Sequence, residues 1–136
     1  MLNRSGVSKT TLTAPKQILA NVELQSSVGC IVPQEVGVEV AGKKIAKAGT
    51  PININLMNLN EVAKKTDADT AGGGASAVPM NAVLLHDVDV TTGNANGTAL
   101  IFGFVNVNRV EADVATAIET AKAISGGTDK ITFMKV

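Results

Sequence analysis

Aromatic residues are nearly missing from this chain: three Phe, no Tyr and no Trp among 136 residues. Platforms that stack bases or sugars need several aromatic faces, and Phe102, Phe104 and Phe133 are too few and too strand-like to build one. A protein interface here must also do without the Trp and Tyr anchors that usually concentrate binding energy. Spread aliphatic contact, main-chain pairing or many copies at once are what remain. The single cysteine, Cys30, allows no internal disulfide and fits folding in a reducing compartment. Neither sign of charge is in excess, since twelve Lys and Arg balance twelve Asp and Glu. That balance removes the basic footprint of a nucleic-acid binder. No apolar run approaches the roughly 18 residues of a membrane span. Residues 1–16 hold Arg4 and Lys9 but no apolar centre, so they do not read as a secretory signal. The expectation is one soluble domain, made inside the cell.

What is present is aliphatic. Hydrophobic residues make up 45% and charged residues 18%, a globular and not a disordered composition. A chain of this length buries about two thirds of its unfolded surface. Residues 1–16 (MLNRSGVSKTTLTAPK) are poor in apolar groups and read as a flexible arm. Within them, Val7-Ser8-Lys9-Thr10-Thr11-Leu12-Thr13 is β-compatible and suited to pairing with an offered edge. Pro15 marks the expected boundary, with one domain over 17–136.

From residue 17 onward, alternation predicts strands. Ile18, Ala20, Val22 and Leu24 alternate with Gln17, Asn21 and Glu23, though Leu19 blurs the pattern; Val36, Val38 and Val40 alternate with Gly37, Glu39 and Ala41, and Ile52, Ile54 and Leu56 with Asn53 and Asn55. Gly42-Lys43-Lys44 and Ala48-Gly49-Thr50-Pro51 read as turns, and a short helical turn is expected around Asn60–Lys65. Residues 66–77 (TDADTAGGGASA) read as a surface loop. No Gly-Lys-Ser/Thr follows its three glycines and no helix starts there, which argues against a phosphate cradle. Ala82–Val90 reads as one strand, Thr92–Gly97 as a turn, and Thr98–Val105 (TALIFGFV) as a central strand apolar on both faces. The two strands flanking the turn predict a long hairpin.

One helix is predicted, over Arg109–Ile124, capped by Asn108 with Glu111 reaching back. Val107, Val110, Val114, Ala117, Ile118, Ala121 and Ile124 lie on a stripe of about 120°, opposite Thr116 and Glu119. Gly126-Gly127 ends the helix, and Lys130–Val136 forms a last strand. The fold class is α+β and mainly β.

Few residues suggest chemistry. His86 stands beside Asp87 and Asp89, but on a strand His86 faces away from both acids, so the three do not converge on a metal. Cys30 with His86 would be a thiol–imidazole pair oriented by Asp87 or Asp89. Yet Val28-Gly29-Cys30-Ile31-Val32 reads as a buried aliphatic stretch with no activating charge. Asp67 and Asp69 read as solvated loop acids. No catalytic residue, metal or cofactor is expected.

Ala48-Gly49-Thr50-Pro51, Ala82–Thr91 (AVLLHDVDVT) and Ala99–Val110 (ALIFGFVNVNRV), in that order, resemble the head decoration proteins of tailed bacteriophages, the lambda-type capsid-cementing family. The resemblance extends over most of 40–136. Residues 80–84 depart from it, reading Met-Asn-Ala-Val-Leu without the family's glycine, as does the lack of aromatic residues. It implies a small β-clip- or barrel-like domain seated as a homotrimer on the outer surface of the capsid. It also implies an arm, here residues 1–16, that adds a strand to the major capsid protein. Val7, Lys9, Thr11, Leu12 and Thr13 would be its pairing residues. The implied work is to hold the expanded, DNA-filled head, with no nucleic acid or membrane as partner. Three alternatives stand beside it: the capsid-attached base of a head fibre, a ligand-binding β domain, and a small Cys/His-dependent hydrolase built on Cys30 and His86.

Overall fold

The structure, a computed structural model, describes residues 17–67 and 77–136. In chain order the elements are β1 (Ser26–Val32), a 3₁₀ turn (Gln34–Val36), β2 (Val38–Val40), β3 (Lys43–Ala46), β4 (Pro51–Asn53) and β5 (Lys64–Lys65). Then follow β6 (Ala82–Leu84), β7 (Val88–Asp89), β8 (Ala95–Asn106), a 3₁₀ turn (Val107–Arg109), α1 (Ala112–Lys122) and β9 (Ile131–Met134). One sheet has the order β1-β8-β6-β4-β5 with β9 also on β8, and a second has the order β2-β3-β7. Among the described residues these strands pair antiparallel except β8 with β9, and an isolated bridge from Ile31 to Val62 is also parallel. The described residues are thus mainly β with one α-helix.

The apolar run in β8 explains the layering. Successive strand residues face opposite ways, and here both faces are covered around Ala99 and Leu100, while Phe102 further along is 39% exposed. Ala82, Leu84 and Ala99 belong to a core shared with Val32, Ile52 and, from the second sheet, Ala46 and Val88. Val83 and Leu100 belong to a separate core with Ile18, Met80, Val105, Ala121 and Ile131. The larger sheet therefore lies between the small sheet and the helix. Leu84, Leu100, Ile52 and Val83 are fully buried, each contributing about 1.5–3 kcal/mol relative to exposure.

Four expectations are corrected. Residues 18–24 are not a strand: Leu19 alone bridges to Val105, and Asn21 Oδ1 then accepts from Glu23 N–H and Leu24 N–H. That side-chain turn competes with strand pairing and leaves Val22 and Leu24 exposed. The run 82–90 is two strands in different sheets, bent where Asp87 Oδ1 accepts from Ala48 N–H at 2.7 Å. The predicted hairpin consequently keeps only its β6–β8 portion. Asn60–Lys65 forms no helical turn, because Ala63 N–H donates to Ile31 and the chain continues into β5. The helix starts at Ala112, and Asn108 does not cap it; a 3₁₀ turn intervenes, and Glu111 stands at the N-cap. Of the predicted stripe, Val114, Ile118, Ala121 and Ile124 are buried, while Val107 and Val110 precede the helix and with Ala117 are only half-buried. No helix among the described residues is long and apolar enough to cross a membrane.

The Ala48-Gly49 turn joins the sheet to the helix. Gly49 has a φ of 93°, its N–H donates to Leu84 O at 2.7 Å, and a Cβ there would lie 2.7 Å from Val110 Cγ1 and 3.1 Å from Val114 Cγ1. Only glycine satisfies both the backbone and the space. Gly49→Ala is expected to lower unfolding free energy by about 2–4 kcal/mol, summing backbone strain and overpacking. Urea unfolding followed by circular dichroism checks this, and a loss under about 1 kcal/mol would show that the turn relaxes freely.

Candidate functional site

The residues that suggested chemistry are dispersed. His86 is exposed at the bend between β6 and β7. Asp87 is engaged with Ala48 N–H, and Asp89 accepts from both Thr91 N–H (2.9 Å) and Thr91 Oγ1 (2.5 Å). The Thr91 hydroxyl, then the Thr91 N–H, hold the Asp89 carboxyl below its ordinary pKa. Among the described residues no group of three or more His, Cys, Asp and Glu could hold a metal. Cys30 sits in the core between the sheets, where burial raises its thiol pKa, opposite to the shift that activates a nucleophile. Asp67 pairs with Val78 through both backbone groups, while Asp69 lies outside the described residues.

The arm residues Val7, Lys9, Thr11, Leu12 and Thr13 also lie outside the described residues. What the structure does show is where that segment joins the body. Ile18 is fully buried and its carbonyl accepts from Asn106 N–H at 2.8 Å; Ala20 N–H donates to Phe104 O at 2.9 Å. Arg109 Nη1 adds a longer bond to Gln17 O at 3.4 Å. Residues 18–20 are therefore fastened to the end of the central strand.

Asn106 organises this junction and was not singled out by pattern. It is the buried polar residue of the described core, 4% exposed. Its Oδ1 accepts from Asn108 N–H (3.1 Å) and Val136 N–H (3.3 Å), while its own N–H holds Ile18. Asn108 Nδ2 in turn donates to Val136 O. A lone Asn closing an apolar run is the signal that could have marked it, because a buried amide must find partners.

A cleft of about 200 Å³ opens elsewhere, between residues 35–38, the start of β4 and helix α1. Val36, Val38, Pro51, Val114 and Ala117 line it, with Glu35, Lys47, Lys65 and Asp113 at its edges. Lys47 Nζ meets Asp113 Oδ2 at 3.1 Å. Desolvation of the Asp113 carboxyl, which raises its pKa, is outweighed by the Lys47 bond and charge together with backbone N–H groups, so the net shift is downward. Beyond this cleft, exposed aliphatic side chains are spread over the surface: Val22 and Leu24 before β1, Val40 on β2, and Leu56 and Met57 between β4 and β5. Comparison with protein-family models, with curated proteins and with solved structures returned no match.

Asn106→Ala removes the acceptor for two amides and is expected to cost about 1–3 kcal/mol. Hydrogen exchange should show Asn108 and Val136 amides losing protection, with the Ala20 amide keeping it. Unchanged stability and exchange would remove Asn106 from its organising role.

Proposed function

We propose that this chain is a virion structural protein that binds the outer surface of a phage capsid as a trimer and stabilises the expanded, DNA-filled head. Residues 1–16 add a strand to the major capsid protein in this reading. The resemblance over residues 40–136 supplies the class, and the seating of residues 18–20 is the observation that carries it. Tension on residues 1–16 would pass through Ile18 and Ala20 directly into β8, the strand paired along both edges. A tether that ends on the most heavily bonded strand resists being pulled out of the body, as a clamp between capsid subunits must. Stabilisation of the shell follows from linkage, since whatever binds only the expanded form opposes its rupture and its reversal. Exposed aliphatic groups in place of aromatic anchors suit a protein that works in many copies. No catalytic group or cofactor is required, and the protein would be located on the virion surface.

Deleting residues 1–16 tests the arm. The body should unfold within about 0.5 kcal/mol of the full chain, as expected for change away from the core. Affinity for expanded heads should fall by about 100-fold or more with the loss of main-chain strand addition. Equal affinity of the two forms would rule the arm out.

A further inference from the structure

β1 forms one edge of the larger sheet. The Ile31 carbonyl accepts from Ala63 N–H at 2.9 Å, so the backbone groups of Ile31 face away from β8. Backbone groups alternate along a strand, and the outward set continues at Gly29 and Ser27. The partner strand agrees: Gly29 lies opposite Thr98, whose carbonyl is turned the other way, to Leu85 N–H. Among the described residues nothing bonds to the outward N–H and C=O groups of Ser27 and Gly29. Ser26, Ser27 and Gly29 are exposed, and a Cβ added at Gly29 would meet nothing within 4 Å. The bridge from Ile31 to Val62 closes the edge further on, which leaves Ser26–Gly29 open.

Charge marks this edge off from the others. β5 is Lys64-Lys65, β2 carries Glu39, β7 carries Asp89, and β9 lies between Lys130 and Lys135. Two copies brought together along any of those edges set like charges side by side, which guards against edge pairing. Ser26-Ser27-Val28-Gly29 holds no charge and no proline.

This edge is also complementary to itself. In antiparallel pairing about Val28, Ser27 of each copy lies opposite Gly29 of the other, and their outward groups exchange hydrogen bonds. Residues just before β1 then come to the level of Ile31 in the other copy. Leu24, 50% exposed, is brought toward Val62, 38% exposed, and the two-fold axis makes that apolar contact twice.

We infer that the β1 edge is a contact between two copies of this chain, joined antiparallel across Ser26–Gly29 into one continuous sheet. Such a contact is isologous, with the same surface on both copies. It goes beyond the proposed function, because a two-fold contact is separate from the three-fold contact of the trimer and neither requires the other.

Full-length Ser27→Cys and Gly29→Cys chains, mixed at high concentration under a mild copper–phenanthroline oxidant, test the register. Disulfide between the two variants is expected at about five-fold or more the yield of either variant alone, because only the mixed pair stands directly opposite. Gly29→Lys places a charge where a side chain meets nothing in its own copy. That variant should keep the unfolding midpoint while its dimer fraction in sedimentation falls about five-fold or more below the parent's. A mixed yield no higher than that of either variant alone, or a parent chain that stays monomeric at its highest soluble concentration, overturns the inference. Cross-linking that appears only after residues 1–16 are deleted overturns it too, by assigning the edge to the chain's own arm. Binding to expanded heads, measured separately, decides the capsid reading alone.

Discussion

A twelve-residue strand with neighbours on both edges is the constraint on which the rest of this fold depends. Within β8, Leu100 has Ser27 on one side and Val83 on the other, and Val105 has Leu19 on one side and Phe133 on the other. The change of partners falls at Gly103, whose φ of 153° suits glycine, and a Cβ there would lie 3.3 Å from Gln25 and Leu100 side-chain atoms. Each backbone bond contributes only about 1 kcal/mol net, but leaving such buried groups unpaired costs more. Pairing along β8 therefore decides where β1, β6, β9 and residues 18–20 must lie. Both cores then form on its alternating side chains, Ala99 into one and Leu100 into the other.

Among the described residues, the small sheet covers one side of the larger sheet and α1 the other. Exposed aliphatic groups lie at turns, edges and loops: Val22 and Leu24 in the turn before β1, Val40 on an edge strand, Leu56 and Met57 at a loop tip. A small body with residues 18–20 bonded to its central strand and dispersed exposed aliphatic groups is compatible with the proposed work of attachment. The capsid reading asks for no more than this.

The parts of the fold legible in the sequence are those where local pattern and burial agree. Thr98–Val105 is apolar on both faces because Ala99 enters one core and Leu100 and Val105 the other, although Phe102 is 39% exposed, and the helix stripe through Val114, Ile118 and Ala121 is buried. Pattern misleads where one side chain redirects the backbone. Strand-compatible residues run without a turn signal from Ala82 to Val90, but the bond from Ala48 N–H to Asp87 bends the chain between sheets, and those partners are far apart in sequence. Asn21 likewise ends the pairing begun at Leu19 while apolar alternation continues through Val22 and Leu24. The cleft was illegible for the same reason, since Val38, Pro51, Lys65 and Ala117 come together only in the fold. The arm residues Val7 to Thr13 rest on the resemblance alone.

Co-sedimentation of the full chain with undecorated phage heads, before and after head expansion, tests the central claim most directly. The chain has no Trp or Tyr, so bound protein is read by stained gel or mass spectrometry and not by absorbance. The account predicts saturable binding to expanded heads and little to unexpanded ones, with bound heads surviving conditions that rupture bare ones. Absence of binding to expanded heads would contradict it and leave only the fold.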